Sequence, residues 1–82
     1  MNTERAILKG HLADLKMKKM NLQATVSAHL RSVQNFLTGF SIRPLSETDI
    51  DSALVNLQVA ADQNRELAQV LKKIKTLEAE LD

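Results

Sequence analysis

Cysteine, tryptophan and tyrosine are missing from this 82-residue chain, and it holds one proline, two glycines and two phenylalanines. Without cysteine there is no disulfide and no thiolate zinc site. With so few rings the core must be aliphatic, and bases have no aromatic platform on which to stack. No apolar run approaches the roughly 18 residues of a membrane span. The run Ala6-Ile7-Leu8 is too short for the apolar part of a signal peptide, so a soluble cytoplasmic protein without membrane attachment is the expectation. Chemistry-bearing constellations are also lacking. There is no glycine-rich phosphate loop, and no serine stands with a histidine and an acid in a strained turn. Asp49 with Asp51, and Glu78 with Glu80, are spaced two apart and diverge on a helix, whereas acid–base or metal sites need convergence. No catalytic, cofactor or metal residue is assigned, and the chain is not expected to be an enzyme.

What is abundant is the vocabulary of long helices: Ala, Leu, Lys, Gln and Glu. One stretch interrupts it, Thr38-Gly39-Phe40-Ser41-Ile42-Arg43-Pro44-Leu45-Ser46. Gly39 is suited to close a helix in the left-handed conformation. Pro44 lacks an amide proton and pushes Arg43 towards extended geometry. Ser46, with Asp49 three residues on, forms the pattern of a helix-starting capping box. The sequence therefore predicts a single domain over 1–82, an all-α antiparallel hairpin with a helix over 3–38, a turn over 39–46 and a helix over 47–81. Residues 1–45 carry seven basic against two acidic groups, net +5, and residues 46–82 four against eight, net −4. Halves of opposite sign suit an antiparallel pair, within one chain or between chains.

In the first helix Leu8, Leu15 and Leu22 fall at d of a heptad and Leu12, Val26 and Val33 at a, with Lys19 at a and His29 at d. From Val26 onward the more apolar stripe is Val26, Leu30, Val33 and Leu37, which predicts a rotating stripe on a nearly straight helix. His29 and His11 lie far apart, and no carboxylate is three or four residues from His29, so a boundary imidazole is expected rather than a switch or ligand. Met17 and Met20 read as adaptable packing. Phe36 and Phe40 are expected to plug the closed end. Gly10 costs about 1 kcal/mol relative to alanine, and serves either close helix approach or a frayed first turn.

In the second helix Ile50, Leu57, Asn64, Leu71 and Glu78 fall at a, and Ala53, Ala60, Leu67, Ile74 and Leu81 at d. Leu54, Ala61 and Ala68 widen the stripe on one flank, Val70 and Leu77 on the other. That exceeds what one partner helix covers, and predicts a homo-oligomer, with a dimeric four-helix bundle or coiled coil preferred. The expected assembly residues are Leu54, Leu57, Ala60, Ala61, Leu67, Val70, Leu71, Ile74 and Leu77. Leu12, Leu15, Leu22, Val26, Leu30 and Val33 are their expected partners within the chain. Asn64 reads equally as a register-setting core amide or a boundary residue facing water.

Folding the chain near residue 42 brings Lys72, Lys73 and Lys75 towards Lys9, Lys16, Lys18 and Lys19. This basic region is a candidate for sequence-independent phosphate contact. Asp14, Glu66, Glu78 and Glu80 dilute it, and solvated lysines on a helical face are the commoner outcome.

The order of features resembles the small two-helix proteins of Mu-like transposable phages and prophages. The likeness rests on the basic opening Ala6-Ile7-Leu8-Lys9-Gly10-His11-Leu12, the junction Val33-Gln34-Asn35-Phe36-Leu37-Thr38-Gly39-Phe40, the acidic restart Ser46-Glu47-Thr48-Asp49, and the closing Glu66–Leu81. It implies a bacterial cytoplasmic setting and a phage accessory role, and carries no functional residues across. Small secretion-system chaperones are similar in architecture alone, which implies a third reading: a subunit whose exposed stripe covers a partner helix.

Overall fold

In a computed structural model describing residues 2–39 and 46–82, two helices form an antiparallel hairpin. α1 runs Asn2–Gly39 and α2 runs Glu47–Leu81. The molecule is a rod of 64 × 15 × 15 Å. Among the described residues there is no strand, and no helix is long and apolar enough to cross a membrane.

The start of α2 follows the capping box. The Asp49 amide donates to Ser46 Oγ at 3.2 Å, and the Ser46 amide donates to Asp49 Oδ2 at 3.2 Å. This reciprocal cap satisfies two amides that the first turn otherwise leaves open. Gly39 departs from expectation: it is the last residue of α1, and no described glycine has a positive φ. Phe40, Arg43 and Pro44 lie outside the described residues. Gly10 also departs from both of its expected uses. It sits well inside α1, and a Cβ built there meets nothing within 4 Å. Gly10→Ala should therefore raise stability by about 0.5–1 kcal/mol through backbone entropy alone. Urea unfolding checks this, and an unchanged midpoint would mean the first turns of α1 do not contribute.

Each helix buries one strict seam at spacings of four and three. On α1 it is Leu8, Leu12, Leu15, Lys19, Leu22, Val26, His29, Val33 and Phe36. On α2 it is Asp49, Ala53, Asn56, Ala60, Gln63, Leu67, Val70, Ile74, Leu77 and Leu81. The predicted rotation of the α1 stripe does not occur: His29 and Phe36 stay in the seam, while Leu30 is 46% exposed and Leu37 faces outward. A drift on one helix alone would break its mesh with the unbroken column Ala53, Ala60, Leu67 and Ile74 opposite. The α2 register also differs. That column pairs with Asn56, Gln63, Val70 and Leu77, not with Ile50, Leu57, Asn64 and Leu71, all of which are exposed. The observed choice keeps Glu78 out of the seam and brings Val70 and Leu77 in. It also gives His29 a partner.

The deepest packing lies in the middle and open half, where Ala60, Leu67, Val70 and Ile74 are buried. Of the expected intrachain partners, Leu12, Leu15, Leu22, Val26 and Val33 line the facing side, and Leu30 does not. At the far end Arg5 Nη2 donates to the Leu81 carbonyl at 2.6 Å. Contacts between residues 5 and 81, 18 and 66, and 29 and 56 fix the antiparallel level of the two helices.

Candidate interaction surface

With a assigned to Leu12, Lys19, Val26 and Val33 on α1 and to Ala53, Ala60, Leu67 and Ile74 on α2, the outward residues sort into two flanks. In an antiparallel pair a two-fold relation keeps like flanks together, so e positions of both helices share one side and g positions the other. The ion pairs fit this register. Lys18 and Glu66, both at g, meet at 2.9 Å, and Lys16 and Glu78, both at e, lie 3.9 Å apart. Both pairs run from the basic half of the chain to the acidic half.

The g side is polar. His11, Lys18, Thr25 and Ser32 of α1 face Ser52, Glu66, Lys73 and Glu80 of α2, with the half-buried Val59 as the apolar member of that row. A shallow groove there, edged by His11, Asp14, Lys72, Lys73 and Thr76, mixes both charge signs over a leucine floor. The e side differs. Leu30 and Leu37 of α1 lie beside Ile50, Leu54 and Leu57 of α2, and the α2 stripe continues through Ala61, Asn64 and Ala68 to Leu71. Leu57 is 48% exposed and Leu54 is 52% exposed, on the same side of the rod. Isolated exposed leucines need no explanation, but a contiguous stripe with a polar opposite side marks a contact surface.

The nine residues expected at an assembly interface therefore divide. Ala60, Leu67, Val70 and Ile74 are consumed by the seam within the chain, and Leu77 is half-buried there. Leu54, Leu57 and Leu71 stay exposed, and Ala61 is half-buried between them. Leu30 and Leu37 join this face although the sequence pattern assigned them inward. The signal that separates them is that α2 carries two interleaved heptad stripes, and only one can face α1.

Lys19 and His29 lie in the seam as their heptad positions predict, whereas Asn56 and Gln63 enter it unpredicted. His29 Nδ1 lies 2.8 Å from Asn56 Oδ1, with Nδ1–H donating, while Asn56 Nδ2 donates to the Ser52 carbonyl at 3.0 Å and so turns its oxygen towards the imidazole. His29 is thus a boundary histidine with an amide partner. Lys19 is half-buried in the seam, a position a lysine tolerates because its methylene stem can be covered while the ammonium reaches water. Gln63 Oε1 is buried without a hydrogen-bond partner, which costs about 1–3 kcal/mol for a group of this kind. Asn64 is exposed and belongs to the outer stripe, not the seam.

The lysines do not gather on one surface. Lys9, Lys16 and Lys75 occupy the e side, Lys18 and Lys73 the g side, Lys72 the outer face of α2, and Lys19 the seam. Two of them hold carboxylates across the hairpin. A phosphate backbone running along the rod would meet only part of this set at once. Among the described residues no group of three or more His, Asp or Glu side chains is placed to hold a metal ion. No protein-family model, no curated protein and no solved structure matches this chain.

Proposed function

We propose that this protein is a non-catalytic interaction module that works by associating with itself. The observation that carries this reading is the apolar stretch of the e side from Leu37 and Ile50 to Leu71, which faces nothing in a single chain and gives way at the open end to Lys9, Lys16, Lys75 and Glu78. Energetics point the same way. Among the described residues the hairpin has four buried apolar residues, none of them completely shielded, and an unpartnered buried amide oxygen, so its own core is thin. Helical stability in water comes mainly from packing an apolar face, and covering the second face supplies more of it. A phage accessory role is consistent with the resemblance of the sequence to small phage-encoded hairpins.

The test is mass in solution across concentration, by sedimentation equilibrium or light scattering. The expected result is a species near twice the 9.1 kDa chain mass, dissociating on dilution together with loss of helicity. A well-folded single chain at hundreds of micromolar would overturn the proposal and leave the partner-covering reading as the better one.

A further inference from the structure

The exposed stripe of α2 can be laid against its own reverse about Ala61. Counting outward from Ala61, Leu54 and Ala68 lie seven residues away on either side, and Ile50 and Leu71 lie eleven and ten away. Two copies of α2 laid antiparallel and centred on Ala61 would set Leu54 of each against Ala68 of the other. Ile50 of each would meet Leu71, and the small Ala61 side chains would meet at the centre. Leu54 then packs over the small Ala68, Ile50 and Leu71 pair as two large side chains, and Leu57 comes beside Asn64, so contact is closest at the small central residues. The same operation aligns α1 with its copy: Leu30 comes level with Met20, and Leu37 with Ala13.

Charge separates this arrangement from the parallel one. Residues 22–62, the half nearer the turn, carry Arg31 and Arg43 against Glu47, Asp49, Asp51 and Asp62, a net of −2. The remaining residues, at the open end, carry nine basic against six acidic groups, a net of +3. Antiparallel pairing puts the acidic end of each copy against the basic end of the other, whereas parallel pairing sets like against like. The size also fits. The whole face, 64 Å long and 15 Å wide, sets an upper bound of roughly 1,900 Å² on the two copies together, which leaves room for the about 1,200 Å² a stable interface needs after its charged open end is set aside.

We infer that a second copy of this chain docks on the e side with its long axis antiparallel, the two-fold axis passing between the Ala61 residues. This inference rests on the self-association reading and deepens it by naming the face, the direction and the centre. Each copy then contributes the same patch, and the pair closes without open surfaces that would extend into a fibre.

Because the chain has no cysteine, single cysteines report the geometry cleanly. A disulfide needs Cα atoms about 4.4–6.8 Å apart. Under mild oxidation Ala61→Cys should form a covalent dimer in most molecules. Ile50→Cys and Leu71→Cys should each remain single chains alone and cross-link when mixed. Helicity by circular dichroism and mass before oxidation are measured on the same samples. A non-covalent dimer in which Ala61→Cys does not cross-link removes the antiparallel arrangement and leaves self-association standing. Self-linking of Ile50→Cys also removes it, since that requires turn beside turn. A single-chain mass for every variant and for the wild type overturns both.

Discussion

Replacing Leu54 and Leu57 together by aspartate should turn the assembled protein into single hairpins. Both side chains stand about half exposed on the e side and outside the seam, so the substitutions leave the contacts between α1 and α2 in place. In a dimer they would bring four uncompensated carboxylates into a desolvated apolar interface. Truncating one interface anchor commonly costs about 2 kcal/mol or more, and stranding a charge costs more than truncation. At 1.4 kcal/mol for each tenfold, the dimer should weaken by at least about 100-fold. Mass in solution reads this directly. Val55→Asp is the matched control, since Val55 is equally exposed but lies on the other side of α2. If the double variant keeps the wild-type mass, or if Val55→Asp is equally disruptive, the e side is not the interface.

Ile74→Ala should produce the largest loss of fold stability among conservative truncations. Ile74 is 7% exposed and its neighbour in the seam, Val70, is 3% exposed, in a core with few other fully buried members. Removing its outer carbons loses transfer free energy and leaves a gap that two stiff helices cannot close, a cost of about 2–5 kcal/mol. For a domain of this size each kcal/mol moves the midpoint by about 4–8 °C, so a drop of about 10 °C or more is expected. Chain concentration is held fixed, because association shifts the apparent midpoint. Val55→Ala, on the outer face, should leave the melting temperature unchanged or slightly higher, since alanine is the better helix former. Equal drops for the two variants would mean that the seam has been placed on the wrong column.

The division between what could be read early and what could not follows from the range of the forces involved. Helix termini are set by groups a few residues apart. The pairing of Ser46 with Asp49 is a local matter and is visible in the order of residues. Which of several apolar columns becomes the seam is not local. Ile50, Leu57 and Leu71 are as hydrophobic as Val70 and Leu77, and a pattern of apolar spacing ranks the first column at least as high. The choice depends on what stands opposite. The Ile50 column would drag Glu78 inward, while the Asn56 column offers His29 a hydrogen bond at 2.8 Å. The same holds on α1, where Leu30 and Leu37 are more apolar than His29 but one residue on from the seam positions, about 100° of rotation out of mesh.

The candidate surface inherited that uncertainty. Naming Leu54, Leu57 and Leu71 as sticky needed only composition and spacing. Separating them from Ala60, Leu67, Val70 and Ile74 needed the position of the other helix. The lysine set shows the reverse error. Level along the rod can be read by folding the sequence at its turn, but direction around the rod cannot, so residues at nearly the same level, such as Lys72, Lys73 and Lys75, end up on different faces.

By itself, then, the order of residues determined that the chain is two long helices folded back near residue 42, because caps, breakers and propensities act over a few bonds. It also determined that the apolar surface exceeds one seam, because that is a matter of counting. Only the tertiary structure decided which stripe is buried and which is left on the e side. Two helices can mesh in one rotational setting at a time, and that setting depends on what stands opposite along the full length of both, which no single stretch of sequence encodes.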